Sequence, residues 1–220
     1  MKIIIFGAGA QSKITIDILN ENDQFEIIGI IDSKLEIGSM FYGYKIVGRQ
    51  QNLQNLKKEY SFEGGIIAIG DNYSRYLVSR EILKQLPDFI FINAISSFSK
   101  ISPTAKIGRG NLIMAGNIIN SEAEIKDHCM MMTKSTLEHN CLMNNYSSIS
   151  AGVTTGGFVL IGEFSAIALG VIIFDRVEIG ENVVIGSGSL VHKSLESNFL
   201  YYGSPIKKIR SRNLNDKFLK

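Results

Sequence analysis

The chain has 220 residues, which is enough for one domain of ordinary size or two small ones. Its content of 45% hydrophobic and 20% charged residues predicts a packed globular core and excludes intrinsic disorder. The formal net charge is only +2, with 23 basic against 21 acidic residues, so we expect no nucleic-acid partner.

Apolar runs are short, with Ile3–Phe6 and Phe89–Ile92 as examples, and none reaches the roughly 18 residues that a membrane-spanning helix needs. The N-terminus enters a strand pattern directly and lacks the apolar region and cleavage site of a signal peptide. Cys129 and Cys141 form no disulfide framework and have no metal-ligating partners at the usual spacing. We therefore expect a cytoplasmic protein with no membrane span and no bound metal.

Residues 1–98 alternate short apolar runs with stretches of helical spacing. Such alternation predicts a small open parallel sheet, a Rossmann-like α/β domain that is shorter than a full dinucleotide-binding domain. The predicted strands are Ile3–Phe6, Ile27–Ile31, Ile66–Ile69 and Phe89–Ile92, and the predicted helices cover Ala10–Asn20 and Tyr76–Pro87.

From residue 99 onward the period changes to six. Sixteen positions in steps of six, from Ile101 to Val191, are all apolar except Thr155, and the positions two before each are never larger than Asn or Val. Neither a helix nor a plain strand has this period. A hexapeptide repeat does, because three hexads close one triangular coil and the coils stack into a prism. Residues 99–220 are therefore predicted to form a parallel β-helix of about five coils with a C-terminal tail. A β-sandwich with coincidental spacing is the alternative.

Two groups of motifs resemble a known family. In the C-terminal half they are Ile161-Gly162-Glu163, the stretch Ile179–Val191, and Gly203-Ser204-Pro205-Ile206-Lys207, which look like the final coils of left-handed β-helix acyltransferases. In the N-terminal half they are Gly7-Ala8-Gly9-Ala10-Gln11-Ser12-Lys13, Asp32-Ser33 and Ala68-Ile69-Gly70-Asp71-Asn72. These resemble the subgroup that contains the sialic acid O-acetyltransferases and the N-acetyltransferases of nucleotide-linked 4-amino-4,6-dideoxy sugars.

The resemblance covers nearly the whole chain and implies a left-handed β-helix, acetyl-CoA as co-substrate and a homotrimer with the donor bound between neighbouring subunits. It also implies that His139, in Glu138-His139-Asn140-Cys141, is the catalytic base. His139 follows the inward Leu137 by two residues, so its ring should lie outside the prism. An imidazole titrates where a base is useful. A solvated surface histidine is the alternative.

Asn140 stands where relatives often have an acidic residue that orients the imidazole. We therefore assign Asn140 to the catalytic residues together with His139, as the residue that orients the ring. An asparagine can orient the ring through its carbonyl but brings no negative charge. Glu138, or a carboxylate of a neighbouring subunit, is a candidate for that charge. His128 is predicted at the surface or an interface, His192 in a structural role, and both cysteines as small buried residues.

Acetyl-CoA is expected, from the resemblance, at Ser148, Gly157 and Leu169. The basic residues Lys207, Lys208 and Arg210 are either contacts for coenzyme A phosphates or a solvated face. The loop that begins at Gly7 is an incomplete dinucleotide fingerprint whose backbone N–H groups suit a phosphate. Because the domain is short and shows no hydride-acceptor site, we expect a nucleotide sugar there rather than NAD. The residues assigned to this substrate are Gly9, Gln11, Ser12, Lys13, Asp32, Ser33, Gly70 and Asn72.

Together these features predict an acetyl-CoA-dependent N-acetyltransferase that modifies the 4-amino group of a nucleotide-linked 4-amino-4,6-dideoxy sugar for surface glycan synthesis. O-acetylation of a sialic acid is an alternative on the same fold. A non-catalytic β-helix scaffold is an alternative of another class, for which the departures at Gln11 and Asn140 would be signs of lost activity.

Overall fold

The computed structural model describes residues 1–21 and 23–217, and it begins with a six-stranded α/β sheet in the order β3-β4-β2-β1-β5-β6. All neighbouring strands are parallel except the hairpin β3–β4. The strands are β1 Lys2–Phe6, β2 Glu26–Ile31, β3 Met40–Phe41, β4 Tyr44–Gly48, β5 Gly64–Ile67 and β6 Ile90–Phe91. The helices are α1 Ala10–Leu19, α2 Leu53–Tyr60 and α3 Asn72–Gln85, with a short 3₁₀ turn at Gln50–Asn52.

The predicted strands and helices are present, with some shifted boundaries. The strand predicted at Ile66–Ile69 is shifted and covers Gly64–Ile67, since Gly64 and Gly65 pair with β6. Both residues are glycine because the carbonyls of Ile90 and Ile4 leave no room for a side chain. Helix α3 begins before the predicted Tyr76, since Asp71 caps it by accepting a hydrogen bond from the Ser74 N–H at 2.8 Å. Hairpin β3–β4 and helix α2 lie in segments for which the sequence suggested no structure.

The remainder of the chain is a triangular prism of two-residue strands, as the six-residue period predicts. Leu112 pairs with Met130, and Met130 pairs with Ser148, so one coil takes eighteen residues, or three hexads. Face 1 consists of Ala94–Ile95, Leu112–Ile113, Met130–Met131, Ser148–Ile149, Ala166–Ile167 and Val184–Ile185, extended by Phe199–Tyr202 and the antiparallel Lys207–Ser211. Face 2 consists of Lys100–Ile101, Ile118–Ile119, Thr136–Leu137, Thr154–Thr155, Ile172–Ile173 and Leu190–Val191. Face 3 consists of Lys106–Ile107, Glu124–Ile125, Leu142–Met143, Leu160–Ile161 and Glu178–Ile179.

The second residue of each of these short strands points inward, and these residues form one continuous apolar core along the prism axis. Thr155, the one polar residue of the repeat, is buried as well and accepts a hydrogen bond from the Glu138 N–H at 3.0 Å. The hexad prediction is therefore confirmed in its phase, and the strand pairing of the prism begins at Ala94–Ile95.

The three edges of the prism are named here by the faces that they join: edge 1–2, edge 2–3 and edge 3–1. Most turns at the edges place one residue in the left-handed region, and many of these residues are not glycine. At edge 2–3 they are Glu122, Asn140, Phe158 and Arg176, with φ between 55° and 59°. These stacked positions place side chains from successive coils directly beside one another.

The α/β domain covers face 1, whose outward residues Leu112 and Met130 are only 1% exposed. A buried arginine of α3, Arg75, fixes the two domains together by donating to the carbonyls of His128 at 3.0 Å and Tyr146 at 3.1 Å. Burial lowers the pKa of Arg75 to about 10, so the side chain keeps its charge at neutral pH. The joint between the domains is therefore both apolar, on face 1, and charged, at Arg75.

Candidate active site

His139 lies on edge 2–3, in the turn between Thr136–Leu137 and Leu142–Met143, and its side chain is exposed as the hexad phase predicts. Its Nδ1 is 3.0 Å from Oδ1 of Asn140, and its ring packs edge-to-face on Phe158 with centroids 5.2 Å apart. Gly157 lies beneath the ring, where a Cβ atom would be 2.6 Å from Cε1 and Nε2. The imidazole can lie at this position only because residue 157 is a glycine.

Asn140 is held on its other side by a carboxylate that the sequence analysis did not identify. Its Nδ2 donates to Oε2 of Glu122 at 2.6 Å. Glu122 precedes Asn140 by one coil at the same edge, so the eighteen-residue period is the signal by which it could have been found. Glu138, the candidate from the sequence, forms no side-chain hydrogen bond with the described residues.

A cavity of about 430 Å³ lies between the α/β domain and edge 1–2. It brings together Gln11 and Gly70, which were assigned to the substrate, with Ser148 and Leu169, which were assigned to acetyl-CoA. The Oε1 atom of Gln11 is buried without a hydrogen-bond partner among residues 1–21 and 23–217. The remaining lining residues are Asp71, Met132, Ser150, Ala151, Ala168, Ser187 and Lys217.

The assigned residues therefore fall into two places on each chain. Ser148 and Leu169 are at the cavity beside edge 1–2, whereas His139 and Gly157 are at edge 2–3. Face 2 separates the two edges within one chain.

The loop after β1 leads into α1 through two glycines, and the N–H groups of Gly7, Ala8 and Gly9 donate within the protein. Gly7 has a φ of 103°, and Gly9 precedes α1 with open space around it. Ser12 is fully buried, donates to the Gly7 carbonyl at 2.6 Å and approaches the Gly9 N–H at 3.3 Å. Its hydroxyl thus shapes the loop from inside, in the place where a third glycine would stand in a dinucleotide fingerprint.

Asp32 also supports this loop. Its carboxylate accepts hydrogen bonds from the backbone N–H groups of Ala8 at 2.9 Å, Lys34 at 2.7 Å and Leu35 at 2.9 Å. Although partial burial opposes ionisation, these donors and Arg49 hold the pKa of Asp32 below its usual value. Ser33 is exposed at the same turn.

Two of the other assigned residues make contacts within the protein. Asn72 is buried and donates to the carbonyls of Phe164 and Ser165, both at 3.1 Å, while it accepts from Arg75 at 2.8 Å. All the polar atoms of its side chain are thus used at the contact between the domains. Lys13 is exposed, with its ammonium 5.9 Å from the ring centroid of Phe41.

The basic residues at the C-terminal end are partly engaged. Lys208 forms an ion pair with Glu196 at 2.8 Å and lies 3.8 Å from the Phe199 ring centroid. Arg210 is 3.4 Å from Asp216, and Lys207 is exposed. Among the described residues, Lys217 is the basic residue that lines the cavity, and no sequence motif indicates it.

His128 and the two cysteines are unsuited to proton transfer at neutral pH. Burial lowers the pKa of His128 to about 4 and raises that of Cys129 to about 11. Burial also raises the pKa of Cys141, so both thiols are protonated at neutral pH, while His192 is exposed. Within the described ranges, no three His, Cys, Asp or Glu side chains are grouped as metal ligands, and no helix is long and apolar enough to cross a membrane.

Comparison with known proteins gives matches to both halves of the chain. Residues 2–82 match the family model of the PglD N-terminal domain. The curated "Uncharacterized protein L142" of Acanthamoeba polyphaga mimivirus is 31% identical over 125 residues, or 57% of this chain, and the chain spans 24% of the length of that relative.

Solved structures match nearly the whole chain. PerB from Caulobacter crescentus, in complex with CoA and GDP-perosamine, is 26% identical with a TM-score of 0.87, covering 96% of this chain and 98% of that one. A variant of GDP-perosamine N-acetyl transferase from the same organism, in complex with the same two ligands, has a TM-score of 0.89 at 25% identity and the same coverage. The acetyltransferase domain of PglB from Neisseria gonorrhoeae shares the fold, with a TM-score of 0.84 at 24% identity over 94% of this chain and 99% of that one. Residues 2–82 therefore form a PglD-type N-terminal domain, and nearly the whole chain has the fold of these nucleotide-sugar N-acetyltransferases, which agrees with the resemblance seen in the sequence.

Proposed function

We propose that this protein transfers the acetyl group of acetyl-CoA to the 4-amino group of a nucleotide-linked 4-amino-4,6-dideoxy sugar, in the synthesis of surface glycans. The observation that carries the proposal is the environment of His139: an exposed imidazole whose Nδ1 is held by Asn140 and whose Nε2 lies on an open edge of the prism. PerB, similar over 96% of this chain, is solved with CoA and GDP-perosamine bound.

In this reaction the sugar nitrogen attacks the thioester carbonyl, and the C–S bond breaks as the amide forms. His139 Nε2 accepts the proton that the nitrogen loses, and the same proton then passes to the departing thiolate, so free coenzyme A is released. No metal is needed, because the imidazole moves the proton and the thiolate is a good leaving group.

The α/β domain is the proposed nucleotide-sugar site. Its loop ends at the N-terminus of α1, where the N–H groups of the first helical turn and the helix dipole favour a phosphate. Gln11 and Gly70 face the cavity between the domains, and the unpartnered Oε1 of Gln11 suits a hydroxyl or amine donor of the sugar. Asp32, Ser12 and Asn72 contribute by fixing the loop and the domain contact.

The active unit is proposed to be a homotrimer, since the two parts of the site are on different edges of one prism. Association of prisms through face 2 would bring His139 of one subunit beside the cavity of its neighbour. Face 2 and its edges carry exposed apolar side chains that suit such a contact, among them Ile118, Ile172, Phe158, Phe174 and Leu169. Acetyl-CoA would then lie between subunits, touching Ser148 and Leu169 of one and the Gly157 turn of the other.

A cytoplasmic location is proposed for this enzyme. Both cysteines are unpaired and buried, which is ordinary for a protein of a reducing compartment.

Release of coenzyme A thiol tests the activity. The purified protein is given acetyl-CoA with GDP-, UDP- or dTDP-linked 4-amino-4,6-dideoxy sugars, and with sialic acid as the O-acetylation alternative. His139→Ala should lower kcat by about a hundredfold or more, the usual size of a general-base contribution. His192→Ala, which changes an exposed histidine outside the site, is the matched control and should act like the wild type. Unchanged acetylation by His139→Ala would show that His139 is not the base. If no sugar supports thiol release, the alternative of a non-catalytic β-helix scaffold is favoured.

A further inference from the structure

We infer that Glu122 is a positioning residue for His139: through Asn140 it holds the imidazole in the tautomer whose Nε2 is free to accept a proton. The inference rests on the proposed function, in which His139 is the base. It explains how the chain compensates for an asparagine at a position that is often acidic in relatives.

Hydrogen-bond chemistry fixes the direction of this chain of contacts. An ionised carboxylate has only acceptors, so the Asn140 atom that faces Glu122 at 2.6 Å must be the amide nitrogen. The amide oxygen then faces Nδ1 of His139 at 3.0 Å and can only accept. Nδ1 must therefore carry the hydrogen, and in the neutral ring Nε2 keeps its lone pair.

Without Glu122 the asparagine would lose this preference. A side-chain amide has a donor end and an acceptor end of nearly equal shape, and it can turn over at little cost when nothing distinguishes them. In the reversed orientation Nδ2 would donate to Nδ1, which would place the hydrogen on Nε2 and block the base. The carboxylate thus selects one of two orientations rather than touching the reacting atoms.

Among the described residues, no acidic side chain other than Glu122 hydrogen-bonds to His139 or Asn140. Asp175 accepts from the Gly157 N–H at 2.8 Å, and Glu124 is paired with Lys126. Glu138 makes no side-chain hydrogen bond within the described part of the chain. Glu122 is therefore the carboxylate that the geometry connects to His139.

The tautomer can be measured without any assay of activity. In protein labelled with ¹⁵N-histidine and held at alkaline pH, nitrogen–proton correlations distinguish a ring nitrogen that carries hydrogen from one that does not. The His139 signals are assigned by their loss in His139→Ala. We expect hydrogen on Nδ1 in the wild type and a mixture of both tautomers in Glu122→Gln. Glu138→Gln removes the same charge one residue from His139 and should leave the wild-type spectrum.

Kinetics give an independent test through rescue. Glu122→Gln should lower kcat by about tenfold, equivalent to ~1.4 kcal/mol. Asn140→Asp alone should also lower it, because two carboxylates then face each other. Combining Asn140→Asp with Glu122→Gln should restore activity toward the wild type, since the carboxylate at position 140 accepts from Nδ1 and from the amide introduced at position 122.

The outcomes separate the two proposals. If Glu122→Gln leaves both the tautomer and kcat unchanged, or if the wild type carries hydrogen on Nε2, the role of Glu122 is wrong. If the tautomer responds as expected but no sugar supports thiol release in the wild type, the positioning stands and the proposed activity fails.

Discussion

His128 is a residue whose buried state makes folding sensitive to acid. Its ring stacks on Tyr146 at 5.0 Å and meets Phe91 edge-on at 4.5 Å, and its Nδ1 has no hydrogen-bond partner in the described part of the chain. Burial is the main cause of its low pKa of about 4, with Arg75 and Arg109 adding to the effect and Asp127 opposing it. The native state therefore holds this ring neutral where the unfolded chain would protonate it.

The sign of the resulting pH dependence follows from linkage. Above pH ~6.5 the ring is neutral in both states and contributes no pH dependence. As the pH falls from ~6.5 to ~4 the unfolded chain binds the proton and the native state does not, so the free energy of unfolding decreases by up to about 3 kcal/mol. We predict that His128→Phe removes this component of the acid sensitivity, because phenylalanine does not bind a proton. Phenylalanine should also fit the backbone at this position, since Phe158 and Phe164 occupy left-handed edge positions in the same prism.

Urea unfolding of wild type and His128→Phe between pH 7 and pH 4 measures the difference. The difference between the two stability curves should be constant near neutral pH and should change in favour of the variant, by up to about 3 kcal/mol, as the pH falls. His192→Phe, at an exposed histidine, should keep the wild-type slope. Parallel curves for the wild type and His128→Phe would show that His128 is not held neutral.

At the scale of the element, the start of α3 acts as the joint between the domains. Asn72 donates to two carbonyls of the prism and accepts from Arg75, which itself donates to carbonyls of the two preceding coils. We predict that Asn72→Asp destabilises the protein by about 2–4 kcal/mol, because a carboxylate would face the carbonyls of Phe164 and Ser165 without a donor.

Thermal unfolding and KM for the sugar nucleotide, measured together, test this role. A large loss of stability with little change in KM would support a structural role for Asn72 at the contact between the domains. Unchanged stability with a raised KM would instead indicate that Asn72 binds the substrate. Asp71→Asn is a comparison at the neighbouring position, since an asparagine can still cap α3 and should cost less than Asn72→Asp.

The elements also show which features a sequence can and cannot predict. A strict period of six fixed the inward residues and, by phase, the outward direction of His139, because each coil repeats the same geometry. The roles of Ser12 and Asn72 could not be predicted, since their partners are backbone carbonyls that become neighbours only after folding. Glu122 is an intermediate case: its contact with Asn140 follows from the coil length, but only when positions one coil apart are compared.

At the scale of the whole molecule, each chain has the two parts of the site on different edges, so the proposed trimer makes a specific prediction about mixed assemblies. Gln11→Trp would fill the cavity between the domains, and His139→Ala removes the base, so each variant alone should be inactive. If one subunit supplies the cavity and its neighbour supplies His139, a trimer that contains both variants has sites in which both parts are intact.

Random assembly of equal amounts of the two variants should place intact parts together at about a quarter of the interfaces. Purification of the co-expressed variants through two different affinity tags removes the homotrimers. Each mixed trimer has one intact interface of three, so about a third of wild-type thiol release should be recovered. Mixing the separately purified trimers without exchange of subunits is the control and should recover none. If the mixed assemblies are inactive, His139 and the cavity of the same chain form one active site, and the shared site is wrong. Sedimentation of the wild type as a monomer would contradict the trimer itself.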